Sequence, residues 1–123
     1  MDKRRFSRIP FKVDVTVTWG STTVAAQTVD LSLGGVYVTA SLKIPLQERV
    51  DVRVTAPKGF SPSSLTASAL VVRRDDQGMG LVFTSMDFES FFILTRFVSE
   101  GLGDRTRSAR EVLDFLSHPP GDE

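Results

Sequence analysis

Two short stretches of this sequence hold side chains of complementary chemistry. Near the amino end, Arg4 and Arg8 stand at R-x-x-x-R spacing within Arg4-Arg5-Phe6-Ser7-Arg8, and further on Asp30-Leu31-Ser32-Leu33-Gly34-Gly35 reads as D-x-S-x-x-G. A guanidinium fork grips phosphate oxygens with paired, charge-assisted bonds and also fits the O6 and N7 edge of guanine. A carboxylate does the opposite, accepting from N–H donors such as those on guanine N1 and N2. A serine hydroxyl and the backbone N–H groups bared at Gly34 and Gly35 reach phosphate or base at close range. Taken together, Arg4, Arg8, Asp30, Ser32 and Gly35 describe a guanine-plus-phosphate site, with Gly34 beside it, Arg5 in the spacer and Lys3 just before. Each stretch alone has a plainer reading. A terminal charge cluster is commonly just solvated, and an Asp/Ser/Gly turn caps its own backbone.

The rest of the inventory narrows the chemistry. Cysteine is absent and His118, beside Pro119 and Pro120, is the single histidine. Disulfides, thiolate nucleophiles, Cys- or His-rich metal sites and His-centred triads are therefore excluded. Neither G-x-x-x-x-G-K-S/T nor H-E-x-x-H occurs, and no pair of carboxylates is marked out by spacing for acid–base work, so the chain reads as a binding protein rather than an enzyme, with no cofactor. Fifteen Lys and Arg balance fifteen Asp and Glu, so any anion site must be local. Five of the basic residues, Lys3, Arg4, Arg5, Arg8 and Lys12, crowd the first twelve positions against Asp2 alone, which leaves the remainder net acidic. A neutral total with one Trp and one Tyr falls short of the basic, aromatic-studded surface of a nucleic-acid binder. No apolar run approaches the ~20 residues that span a bilayer, so a cytoplasmic protein without membrane insertion is expected.

At 123 residues the chain has room for one domain. Val13, Val15, Val17 and Trp19 alternate with polar residues, the period of a half-buried strand, and after Gly20-Ser21 a return strand runs from Thr22 to Val29 and ends at Asp30. The D-x-S-x-x-G loop leads into Val36–Thr39. Val50–Thr55, Leu65–Val72 and Gly78–Phe83 follow, with Arg73 and Arg74 late in the fifth strand. Six short strands with turns between them and no helix interposed predict an all-β, six-stranded antiparallel barrel. Helical spacing begins only afterwards. Phe88, Phe91, Phe92, Thr95, Val98 and Leu102 predict a core-facing helix capped by Ser85 or Asp87 and ended by Gly101 and Gly103. A second amphipathic helix is expected from about Asp104 to Ser117, packing back on the barrel or pairing with a second copy as a homodimer.

These motifs resemble the PilZ domain, a bacterial receptor family for the second messenger cyclic di-GMP. The resemblance runs from about Lys3 to Glu100. Arg4–Arg8 looks like the family's R-x-x-x-R switch, residues 30–35 like its D/N-x-S-x-x-G loop, and Gly78–Phe83 like its closing strand. It implies a split-barrel-type six-stranded fold with one or two C-terminal helices: a barrel domain over 1–103, then a helix and disordered tail over 104–123. It implies that Arg4 and Arg8 hold phosphate and guanine while Asp30, Ser32 and Gly35 contact a guanine, with Arg5, Lys3, Gly34 and Arg73 as further candidates. A basic residue at Lys3 is similar to members that bind the ligand as a stacked dimer. The expected function is that of a cyclic di-GMP effector whose amino-terminal segment, mobile when free, is pinned by nucleotide and signals to a protein partner in motility, adhesion or exopolysaccharide output. The alternative is a nucleotide-independent PilZ-like adaptor for a type IV pilus or chemotaxis component.

Overall fold

A computed structural model describes residues 6–41, 44–56 and 64–117. Lys3, Arg4, Arg5, His118 and the rest of the expected carboxyl-terminal tail lie outside the described residues. Among the described residues, seven strands and two helices follow in order: β1 (Ile9–Pro10), β2 (Asp14–Trp19), β3 (Thr22–Leu31), β4 (Gly35–Thr39), β5 (Arg49–Thr55), β6 (Ser64–Arg74), β7 (Gly78–Met86), α1 (Phe88–Leu102) and α2 (Arg105–Ser117). The antiparallel sheet runs β3-β2-β5-β6-β7-β4, and β4 pairs back onto β3. Closure leaves the six barrel strands without a free edge. The seventh strand, β1, was not expected from the sequence. It pairs Ile9 with Leu31 and Pro10 with Asp30, an edge where proline's missing N–H is tolerated.

Alternation builds the interior. Val15 and Val17 of β2, Val50, Val52 and Val54 of β5, and Leu65, Ala67, Ala69 and Val71 of β6 are buried, while the intervening Asp51, Arg53 and Thr66 face solvent. Three bulges break this rhythm: Thr84 is an extra residue in β7, where Ser68 opposes Ser85 but Ala69 opposes Phe83, and the other two re-aim charged residues. In β3, Thr28 opposes Val38 but Asp30 opposes Tyr37, so Val29 is an extra residue. In β6, Val71 opposes Leu81 but Arg73 opposes Gly80, so Val72 is the extra one. An inserted residue flips every later side chain to the other face. Without these two bulges Asp30 and Arg73 would follow Thr28 and Val71 into the core.

Asp87 is the N-cap of α1, its carboxylate accepting from Ser90 N at 2.7 Å. Gly103, at φ 66°, closes the helix, as a left-handed glycine does. Gly101 lies inside α1 rather than at its end. A Cβ there would stand 2.5 Å from Ile9 Cδ1, so the missing side chain lets Ile9 pack on the helix backbone. The buried stripe of α1 is Ser90, Ile93, Leu94, Phe97 and Val98, which corrects the expected core assignment of two phenylalanines. Phe88 and Phe92 are 79% and 65% exposed. They sit almost opposite that stripe on the helical wheel, and their rings pair with each other at 6.4 Å. Phe91 instead stacks on Phe115 of α2 at 4.8 Å. Helix α2 therefore packs back on its own chain.

Candidate functional site

The site is built where β1, β3, β4 and the tip of β6 meet on the outside of the barrel. Ser32 organises the loop that joins β3 to β4. Its N–H donates to Gly35 O at 2.9 Å, and its Oγ accepts from Gly34 N at 3.1 Å and Gly35 N at 3.2 Å. This is the self-capping turn that Ser and Gly favour. Only a long 3.4 Å contact to Gly35 O engages the hydroxyl proton, so it remains a donor for an incoming acceptor. Gly35 is demanded by strand packing, since a Cβ would stand 2.1 Å from Leu81 O of β7. At Gly34 the fit is tight but softer, the Phe6 ring lying 3.0 Å from where a Cβ would be.

That contact seats the arginine-bearing segment. Phe6 and Ile9 are both buried, Phe6 between Gly34 and the Phe115 ring at 6.0 Å. Phe11 packs against Phe97, the tilted rings 4.8 Å apart. Where the chain turns from β1 into β2, the Thr28 hydroxyl accepts from Val13 N at 2.9 Å and donates to Phe11 O, replacing ladder bonds that the kink removes. Ser7 donates its N–H and hydroxyl to the two Glu111 oxygens of α2 at 3.0 and 2.5 Å. The segment is thus anchored from Phe6 onward. Two apolar anchors and a bidentate carboxylate hold it against the barrel and α2 in this conformation.

Of the expected site residues, the structure brings Arg8 and Asp30 together. Arg8 Nη1 lies 4.0 Å from Asp30 Oδ2, with the two side chains 33% and 28% exposed. A single long contact at that exposure contributes about 0–1 kcal/mol, so both groups can exchange this partner for another at little cost. Ser32, Gly34 and Gly35 lie one loop away. Arg73 arrives from β6, its guanidinium 5.0 Å from the centre of the Tyr37 ring, an attractive cation–π distance.

Tyr37 and Asp75 were not foreseen. Tyr37 opposes Asp30 across the β3–β4 ladder and donates its hydroxyl to Asp75 Oδ1 at 2.5 Å. The same oxygen accepts from Gln77 N at 2.9 Å and Gly78 N at 3.0 Å in the β6–β7 turn. Burial, followed by the bond to the Asp75 carboxylate and that group's charge, pushes the Tyr37 hydroxyl up to about 12, while Arg73 pulls the other way. The Tyr37 bond, with the two turn amides, holds Asp75 below the ordinary carboxylate range. The sequence signal was present but easily missed: Tyr37 is the outward residue between the buried Val36 and Val38, directly after the glycine loop. Guanidinium, carboxylate, aromatic ring and second guanidinium therefore run as Arg8, Asp30, Tyr37 and Arg73 across one patch. Such a row offers cationic forks to an anion and an acceptor to N–H donors. Among the described residues no cluster of His, Asp or Glu could hold a metal ion, and no helix is long and apolar enough to cross a membrane.

A family model described as the PilZ domain matches residues 2–100. Among solved structures, the chain is similar to the PilZ domain of CeSA from a cellulose-synthesising bacterium (26% identity, 80% of this chain and 99% of that one, TM-score 0.60). It is similar in fold to the Escherichia coli YcgR PilZ domain solved with c-di-GMP (18% identity, 92% and 98% covered, TM-score 0.62). It is also similar in fold to the Bacillus subtilis inhibitor of motility MotI (18% identity, 85% of this chain, TM-score 0.69), of which it spans 54%. A search of curated proteins found no match.

Proposed function

This chain belongs to the PilZ domain family, and we propose that it is a cyclic di-GMP-binding regulatory domain whose ligand bridges the amino-terminal arginine segment and the Asp30–Gly35 loop. The observation that carries this reading is the approach of Arg8 to Asp30 at 4.0 Å beside the Ser32-capped loop. It puts an anion-gripping fork and an N–H-accepting carboxylate within one nucleotide's reach. The likeness to a YcgR domain solved with c-di-GMP supports it.

Binding would exchange the weak Arg8–Asp30 pair for stronger ones. Asp30 accepts from guanine N1–H and N2–H, while Arg8 turns to phosphate or to the guanine O6/N7 edge. Arg4, with Arg5 and Lys3 beside it, supplies the second fork of the R-x-x-x-R pattern. Ser32 and Gly35 serve chiefly by shaping the loop, with the Ser32 hydroxyl proton and Gly34 as further contacts. Arg73, held over Tyr37, borders the patch as an additional phosphate partner. No bond is made or broken. The output is an altered surface around the arginine segment and α2, presented to a downstream protein in the cytoplasm.

Calorimetric titration of cyclic di-GMP into wild-type protein, Arg8→Ala and Asp30→Ala tests this. Saturable binding is expected for wild type, weakened at least ~30-fold in each variant because each loses a charge-assisted contact worth about 2 kcal/mol or more. Folded wild-type protein that takes up no nucleotide would refute it. A nucleotide-independent adaptor is the second reading. The exposed phenylalanines of α1 favour it, and under it Arg8→Ala leaves partner binding intact.

A further inference from the structure

The outer face of the barrel carries a row of residues paired straight across four strands. Asp30 of β3 opposes Tyr37 of β4, Tyr37 opposes Gly80 of β7, and Gly80 opposes Arg73 of β6. Asp30 and Arg73 therefore stand three strand spacings apart, about 14 Å along the sheet. The Arg73 guanidinium nevertheless ends 5.0 Å from the centre of the Tyr37 ring, one strand from Asp30, and it crosses Gly80 to get there. A Cβ at Gly80 would stand 3.3 Å from Arg73 Cβ, 3.6 Å from Arg73 Nε and 4.0 Å from Tyr37 Cδ2, so its nearest neighbours are these two side chains. Gly35 and Gly78 differ, because a Cβ there would strike backbone, at Leu81 O and Val38 O. Nor does chain conformation ask for glycine at Gly80, whose φ is not positive. What its missing side chain provides is a path for Arg73. The ring at the end of that path is fixed in turn. Tyr37 points out of the barrel yet is only 8% exposed, and its hydroxyl is tied to Asp75 Oδ1, which also accepts from the Gln77 and Gly78 amides.

We infer that Gly80, Tyr37 and Asp75 are positioning residues of the nucleotide site: they lay the Arg73 side chain across β7 so that its guanidinium meets a ligand phosphate on the flank of Asp30 opposite Arg8. The inference rests on the cyclic di-GMP reading above and adds to it three residues that act through Arg73. Strand pairing sets the two flanks. Asp30 pairs with Pro10 of β1 on one side and with Tyr37 on the other; Arg8 comes from the β1 side and Arg73 from the Tyr37 side. A cyclic dinucleotide carries two phosphates on one ring, and guanidinium forks on both flanks of the carboxylate that accepts from guanine suit that chemistry. Order in the free protein is what makes the second fork useful. An arginine whose rotamers are frozen only on binding forfeits up to about tenfold in affinity, whereas one already lying on a fixed ring forfeits less. The bulge at Val72 brings Arg73 to the outer face, and Gly80 then decides where on that face it lies.

A double-mutant cycle read by calorimetric titration of cyclic di-GMP tests this. Arg73→Ala should weaken binding ~tenfold, the loss of one charge-assisted contact. Gly80→Val has a branched side chain that suits a strand but blocks the path, and should weaken binding about fivefold. Tyr37→Phe keeps the ring while freeing it from Asp75, and should weaken binding about threefold. In the Arg73→Ala background each should add less than about twofold, because a residue that acts through Arg73 then has nothing to act on. A residue that merely supports the barrel would instead cost the same in both backgrounds. The two positioning variants test the same arm separately, so misfolding of one, seen by circular dichroism, leaves the cycle readable through the other. Wild type that binds while Gly80→Val and Tyr37→Phe keep its affinity, or losses that recur in full beside Arg73→Ala, would overturn the positioning role and leave the nucleotide reading standing. Wild type that binds no nucleotide would overturn both.

Discussion

Tyr37 is the chain's one tyrosine, so phenolate absorbance reads this group alone, and its environment makes a quantitative demand. Burial first, and the Asp75 carboxylate second, raise its ionisation from 10.0 to about 12. A displacement of that size corresponds to about 2–3 kcal/mol favouring the neutral phenol in the folded state. Because the folded value lies above the unfolded one, this stabilisation is fully present below pH ~10 and is lost as pH rises toward ~12. Alkaline titration of folded protein should therefore show phenolate appearing late, close to pH 12, and together with unfolding. Tyr37→Phe should cost about 1 kcal/mol at neutral pH, the worth of one hydrogen bond, since Asp75 keeps its two turn amides. The gap between wild type and variant should close as pH climbs past ~10. Phenolate absorbance rising with a midpoint near 10 while circular dichroism stays native would refute the buried Tyr37–Asp75 link, and with it the ordered Arg73 stack beside Asp30.

Gly35→Ala places a Cβ against the Leu81 carbonyl. Because backbone must move, it should cost about 3 kcal/mol and lower the melting temperature by roughly 10 °C, read by calorimetry. Glu111→Gln weakens both bonds that hold Ser7. Charged acceptors are worth roughly twice neutral ones, so exchange of the Ser7 amide should quicken about tenfold while barrel amides stay protected.

Much of the barrel was legible because its strands keep strict alternation. The valines of β2 and β5 point inward as spaced, and Gly20-Ser21 marks the first hairpin. The bulges at Val29 and Val72 were not legible, since both look like any other strand valine. Only the ladder register reveals that each re-aims the charged residue after it. For the helix, apolar spacing was right and its phase was not. Phe88 and Phe92 repeat at four residues as a core stripe would, but Ile93, Leu94, Phe97 and Val98 repeat on the other side and are the residues that meet the barrel. The candidate site divides in the same way. Complementary residue types brought Arg8 and Asp30 to notice, whereas Tyr37 and Asp75 are joined only by cross-strand pairing and a turn. The Ser7–Glu111 tie depends on α2 folding back, over a separation that no local pattern encodes.

The central claim is that nucleotide sits between the arginine segment and the loop after β3, and a residue-resolved NMR titration with cyclic di-GMP tests it most directly. Backbone amides of Arg8, Asp30 and Ser32 through Gly35 should shift saturably, with Tyr37 and Arg73 following at the border, while amides of Thr16, Asp51 and Ser68 on the far strands stay in place. Shifts confined to those far strands, or none at saturating nucleotide, would contradict the account.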